Sequence, residues 1–163
     1  MADFGGDLEA FRTDARAWLE ANFPAGLQAG RRSDRAEAQA WRQRMADKGW
    51  GAPTWPKAYG GGGLSRGEAR ALAEEMAAIG AYNPIGGLGI MSIGPTILEL
   101  GTEEQKTRHL PGIARGEKEW CQGYSEPGAG SDLASLQTKC EDMGDHYLVN
   151  GQKIWTSVAN LAD

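Results

Sequence analysis

Apolar positions recur at helical spacing through the first two thirds of the chain. Leu8, Phe11, Ala15, Trp18, Leu19 and Phe23 share one face, and Pro24 cannot continue the helix they describe. Ala38, Trp41 and Met45 mark a second helix, stopped by Gly49. Ser65-Arg66-Gly67-Glu68 reads as a capping box, serine hydroxyl and glutamate carboxylate each satisfying an exposed helix-end amide. The helix it opens carries Ala69, Leu72, Ala73, Met76 and Ile79 on one face and closes at Gly80. Pro84 to Leu100 is apolar on nearly every side, with Ile85, Leu88, Ile90, Met91, Ile93, Ile97, Leu98 and Leu100. Such a pattern predicts a buried helix at the centre of the helical region, enclosing Ile90, Met91, Ile93, Ile97 and Leu98. Gly86, Gly87, Gly89 and Gly94 each weaken it by about 1 kcal/mol relative to alanine. Their use is then close approach of a neighbouring helix or of a ligand. Thr102-Glu103-Glu104-Gln105 is a second capping box.

The stretch from Gly49 to Gly63 holds three aromatics, two prolines and a glycine run, which suits a connector rather than a helix. Its four glycines make no phosphate loop, because no Lys-Ser/Thr follows and no strand precedes them. From Glu119 the pattern turns to strands. Trp120 to Tyr124 reads as one, broken at Glu126-Pro127 into a loop of small residues. Asn150-Gly151, between Tyr147-Leu148-Val149 and Ile154-Trp155, predicts a type I′ hairpin turn, since both central residues tolerate positive φ. The expected fold class is therefore α+β. An all-α bundle over about residues 1–117 is followed, across a Gly116-Glu117 hinge, by the first strands of an antiparallel β domain over 118–163.

Charge and composition narrow the partners. The net charge is −5, against nucleic acid or an anionic membrane surface as the main partner, since both need basic clusters. Arg31, Arg32, Arg35, Arg42 and Arg44 come nearest to one, but Asp34 and Glu37 interleave them, as on a solvated helix face. No stretch approaches the roughly 20 apolar residues that span a bilayer. The opening Met1-Ala2-Asp3-Phe4 resembles no secretory or Arg-rich transit peptide. Cys121 and Cys140 form no C-x-x-C pair and fit a reduced, cytoplasmic setting. His109 and His146 lack partners at metal-ligand spacing, so no metal is expected and both histidines are expected at the surface.

The chemistry concentrates between Trp120 and Asp132. Gly128 and Gly130 remove side-chain bulk and let the backbone pass close to a flat or anionic group. Ser125 and Ser131 add hydroxyls that donate and accept from fixed positions. Ser125-Glu126-Pro127-Gly128-Ala129-Gly130-Ser131-Asp132 resembles the Ser/Thr-Glu-Pro-x-Ala-Gly-Ser-Asp loop of the acyl-CoA dehydrogenase family. Gly144 to Ser157, with Tyr147, Asn150-Gly151, Lys153, Trp155 and Ser157, is similar to the family's Gly-x-x-Tyr-x-(Leu/Ile/Val)-Asn-Gly-x-Lys-x-(Trp/Phe)-x-(Thr/Ser) segment. Trp55-Pro56 with Tyr59-Gly60-Gly61, and Gly101-Thr102 with Gln105-Lys106 and Leu110-Pro111, resemble two further family segments. The wording from Cys121 to Thr138 looks like a bacterial branch that includes pimeloyl-CoA-type large subunits.

That resemblance implies an FAD-dependent α,β-dehydrogenation of an acyl-CoA thioester to a trans-2-enoyl-CoA, part of fatty acid β-oxidation. Its implied partners are the acyl-CoA, an electron-transferring flavoprotein and further subunits, identical or not. Gln122 to Ser125 would lie along the flavin ring, with the Tyr124 and Ser125 amides and the Ser125 hydroxyl on its pyrimidine edge. Gly130 is implied in cofactor binding, and Ser131 would border the flavin's phosphate side and meet the CoA part of the substrate. Trp155 would lie on the ring face and Ser157 near N5; taken alone, Trp155 reads as a core aromatic. The family's catalytic base is a glutamate in a C-terminal helical bundle that residues 1–163 do not reach. By this reading the 163 residues form an N-terminal portion, inactive alone, and a non-catalytic or partner-completed chain or a flavin-dependent oxidase remain alternatives. Two departures stand out: Tyr124 is bulkier than the small apolar residue usual there, and Val158 replaces a glycine or asparagine.

Overall fold

The computed structural model describes residues 5–27 and 35–163, with side chains from residue 8 onward. Arg31, Arg32 and Asp34 of the arginine cluster, and the opening Met1–Phe4, lie outside the described residues. The chain divides into two compact units, Met1–Lys118 and Glu119–Asp163. None of its described helices is long and apolar enough to cross a membrane.

The first unit is helical. Helix α1 (Gly5–Asn22) ends at the predicted proline, and α2 (Arg35–Asp47) ends before Gly49, whose φ of +72° is a left-handed exit. Helix α3 (Arg66–Ala78) carries the predicted box: Ser65 Oγ accepts from the Glu68 amide at 3.2 Å, and the Glu68 carboxylate accepts from the Ser65 amide at 2.8 Å. The second box, Thr102 with Gln105, opens α5 (Glu103–Ala114) in the same way. Leu19, Trp41, Met45 and Leu72 are fully enclosed in a core rimmed by aromatics. Trp18 meets Trp50 edge-on at 4.8 Å and Phe23 meets Trp41 at 5.2 Å. The buried Trp41 indole N–H donates to the Tyr82 carbonyl at 2.9 Å, so the ring enters the core with its polar atom satisfied.

Two expectations for this unit need correction. On α3, Ala73 is exposed and Ala69 and Ile79 are only half-buried, whereas Ala71, Leu72, Glu75 and Met76 are buried. The face is shifted because Arg12 and Arg16 of α1 reach across to Glu75, at 3.1 and 2.6 Å, which makes a buried carboxylate tolerable there. The apolar stretch after Pro84 is not enclosed either. Ile90, Ile93, Ile97 and Leu98 are half-buried, and Met91 and Leu100 are 77% and 78% exposed. All-round apolarity showed that something could cover this helix, not that this unit supplies it. Its winding also differs: Gly89–Ile93 is π-helical and runs directly into α4 (Gly94–Leu100). Pro95 has no N–H to close an ordinary turn, and the Gly94 amide reaches back five residues to the Gly89 carbonyl. Gly94 does serve close approach, since a Cβ there would run into the Trp55 ring.

In the second unit, β1 (Lys139–Asp142) pairs antiparallel with β2 (Tyr147–Asn150), Lys139 opposite Asn150 and Asp142 opposite Tyr147. The turn lies at Met143–His146, with Gly144 at φ +95° and its amide donating to Asp142 Oδ1 at 2.8 Å. The predicted turn at Asn150-Gly151 is thus displaced: Asn150 belongs to β2, and Gly151 does not adopt positive φ. Gly151 is needed for another reason, because a Cβ there would come within 2.8 Å of the Thr138 Cα. Trp120–Tyr124 is not a strand, and Ile154-Trp155 does not pair with β2. Instead the Ile154 amide donates to the Ser125 carbonyl at 2.9 Å, one bond where a ladder needs several. His146 is exposed as expected, against Asp145 at 2.6 Å, whereas His109 is half-buried.

Candidate functional site

The loop that follows Tyr124 is closed on itself. Glu126 N–H donates to the Ala129 carbonyl at 2.8 Å and Ala129 N–H returns to the Glu126 carbonyl at 3.0 Å, which holds Pro127-Gly128 as a two-residue turn. Ala129 and the Glu126 side chain are the buried residues of this unit. Glu126 Oε2 accepts the Gln137 amide at 2.7 Å, and Oε1 accepts the Thr138 amide at 3.0 Å and Lys153 Nζ at 2.8 Å. Lys153 first, then Thr138 and the Gln137 amide, hold the Glu126 pKa down at about 2, because each favours the ionised carboxylate. Lys153 Nζ also donates to the Tyr124 carbonyl at 3.0 Å.

These bonds bring residues 123–126 beside 153–156. A Cβ at Gly123 would touch the Lys153 stem at 3.3 Å and reach Thr156 Oγ1 at 4.0 Å, so the two segments run in close contact. Of the predicted site residues, Gln122 and Ser125 are half-buried, while Tyr124, Gly130, Ser131 and Ser157 are exposed. Trp155 is 82% exposed, at φ +52°, and is no core aromatic of this unit. Ser125 and Trp155 flank the Ser125–Ile154 bond and are brought together; Ser131 is not tied to them by any hydrogen bond. Val158, the departure from glycine or asparagine, sits at φ +57°, where a β-branched residue is strained. A cavity of about 370 Å³ opens between Glu126–Gly128, Ser135, Gln137, Thr138, Gly151 and Gln152. None of the predicted site residues lines it.

Sequence reasoning named Glu126 and Lys153 as motif positions but gave neither a partner, and they are the best-connected pair in the unit. The available signal was a carboxylate followed directly by proline inside a run of small residues, where a charge needs a partner if it turns inward.

The donor set suits a flat, acceptor-rich ligand. The carbonyls of Tyr124 and Ser125 are occupied by Lys153 and the Ile154 amide, but their N–H groups and the Ser125 hydroxyl bond to nothing within the unit. Among the described residues no group of three His, Cys, Asp or Glu side chains could hold a metal ion.

Comparison with known proteins bears on the family. Residues 6–117 match the acyl-CoA dehydrogenase N-terminal domain, and residues 121–163 match the acyl-CoA dehydrogenase middle domain. The chain is 43% identical over 164 residues to a protein named acyl-CoA dehydrogenase IpdE1 from Mycobacterium tuberculosis, covering 96% of this chain and 43% of that one. It superposes on the ChsE4-ChsE5 complex from Mycobacterium tuberculosis with a TM-score of 0.65 and 38% identity, over 100% of this chain and 42% of that one. With the structure titled Tcur3481-Tcur3483 steroid ACAD it shares a TM-score of 0.64 and 36% identity, over 96% and 41%. The chain thus spans less than half the length of these relatives. It belongs to the acyl-CoA dehydrogenase family.

Proposed function

We propose that this chain supplies one wall of the flavin site of an acyl-CoA dehydrogenase, with FAD as cofactor. The observation that carries the reading is the pair of unused amides at Tyr124 and Ser125, with the Ser125 hydroxyl, on a backbone fixed against residues 153–156. Such donors suit the acceptors of a flavin pyrimidine edge and hold negative charge there without reorganising. When bound, FAD would take up the hydride from the acyl β-carbon. Gln122 and Trp155 would set the plane of the ring, Ser157 would approach N5, and Gly130 with Ser131 would leave room for phosphates and the CoA arm.

Abstraction of the α-proton needs a base within hydrogen-bond reach of that carbon. Glu126 does not serve, because three donors occupy its oxygens and make it a weak base, and its side chain is 7% exposed. The base is therefore assigned to a glutamate outside residues 1–163, as family resemblance implies. The relatives titled as a steroid dehydrogenase and as a two-protein complex support a bulky acyl-CoA substrate and assembly with a sister chain. An electron-transferring flavoprotein would reoxidise the flavin.

Titrating the chain with FAD while following flavin fluorescence tests the site: saturable quenching supports the reading, and its absence overturns it. Acyl-CoA added to the FAD-loaded 163-residue chain without oxygen leaves the visible flavin band unbleached. Bleaching at an enzymatic rate would place the base within these residues.

A further inference from the structure

Three stretches of the second unit converge on one carboxylate. Glu126 belongs to the closed loop, Gln137 and Thr138 lead into β1, and Lys153 follows β2. Lys153 reaches Glu126 by laying its stem along Gly123 and also captures the Tyr124 carbonyl at 3.0 Å. Each end of the pair thus holds backbone: Glu126 holds two amides, and Lys153 holds the carbonyl just before Ser125. An apolar side chain at 126 would leave two amides without their acceptor and the Lys153 ammonium with the Tyr124 carbonyl alone. A glutamine there would turn an N–H₂ toward one of the same donors.

We infer that Glu126 and Lys153 form a positioning pair, holding the Tyr124–Ser125 donors and the Trp155–Ser157 segment as one rigid edge presented to the flavin. The inference rests on the flavin reading above. Neither residue need touch the flavin; they act through the backbone they hold. Were the pair lost, the Ser125–Ile154 bond would be left as the main tie between the two segments, and the unused amides would lose their common plane. Binding then suffers through the cost of ordering the loop.

The test uses the 163-residue chain with Glu126→Gln, Lys153→Met and the charge-keeping Lys153→Arg. Hydrogen exchange without flavin reads the clamp directly at the amides of Gln137, Thr138 and Ile154, with helical amides such as that of Leu72 as a control for folding. In the Gln and Met variants those three amides exchange at least about tenfold faster while the helical control is unchanged. FAD affinity falls about tenfold, as for loss of a charge-assisted hydrogen bond, and the induced circular dichroism of bound flavin weakens. Lys153→Arg restores most of both. Unchanged exchange in Glu126→Gln and Lys153→Met overturns the clamp. Faster exchange with unchanged affinity and dichroism overturns the positioning role and leaves a plain structural ion pair. A native chain that binds no flavin defeats the flavin reading and the role with it, and that failure is recognisable because it appears before any variant is made.

Discussion

Glu75 and Glu126 are buried carboxylates of the two units, and their surroundings differ sharply. Glu75 sits beside a core of Leu19, Trp41, Met45 and Leu72 that excludes water without it. There the ion pairs with Arg12 and Arg16 add register between α1 and α3 to packing that is already apolar. Glu126 has almost no apolar company: both strands of its unit are exposed along their length, and Ala129 is its buried neighbour. In that unit the charged node replaces a core. Hydrophobic burial thus organises the first unit and polar satisfaction organises the second, so one kind of substitution should act very differently on each.

The largest effect is expected from Trp41→Ala. Emptying a fully buried tryptophan site costs about 3–5 kcal/mol, visible as a fall in the urea midpoint of the helical signal. A loss below about 1 kcal/mol would mean that the aromatic cluster is not the core of the first unit. Next comes Val158→Gly, which relieves a left-handed β-branched residue. Stabilisation of about 1 kcal/mol should appear as slower exchange of the Leu161 and Ala162 amides, both of which donate to the Val158 carbonyl. Faster exchange there would show that the side chain, not the backbone, dominates at this position.

Ser125→Ala removes a donor assigned to the flavin and should weaken FAD binding by about 1 kcal/mol, roughly fivefold, in the fluorescence titration. Equal affinity together with an equal flavin reduction potential would remove Ser125 from the site. The smallest effect is a near-absence of change with acid. A carboxylate whose folded pKa is depressed stabilises fully above its unfolded pKa, about 4.3, and loses that contribution as pH falls through the folded value. For Glu126 the folded value is about 2, so protection at Gln137 and Thr138 should survive from pH 7 to 4 and fade only toward pH 2. Glu75 behaves with the same sign, since Arg16 first and then Arg12 lower its pKa against the opposing cost of burial. Loss of Thr138 protection already near pH 5 would place the clamp elsewhere.

Signals confined to a few neighbouring residues were legible in the sequence. Both capping boxes, the stop at Pro24 and the glycine exits at Gly49 and Gly80 depend on one turn of backbone, and the structure has them where the residues stand. The wording of Ser125–Asp132 pointed to the family whose middle domain residues 121–163 match, although the pair that fixes this loop was not legible. Lys153 lies 27 positions beyond Glu126, and nothing local announces that they meet. The hairpin was misplaced because two turn signals competed. Asn150-Gly151 has the stronger dipeptide, but Gly144-Asp145 won, and the place of Gly151 against Thr138 explains why its glycine was needed anyway. The exposure of Met91 escaped because apolarity records what a side chain avoids, not what is present to cover it.

The π-wound turn at Gly89–Ile93 carries a consequence for the phase of the helix beyond it. A π turn accommodates one residue more than an α turn, which rotates everything downstream by about 100° relative to an uninterrupted helix. Gly94, the first residue beyond that turn, lies against the Trp55 ring. Deleting a single residue between Gly89 and Ile93 would let the segment rewind as ordinary α-helix. It would also turn Ile97 and Leu98 about a quarter of the way round the axis and carry the notch that admits the Trp55 ring away from it. At this position a one-residue change in length would therefore disturb the packing more than most changes of residue type.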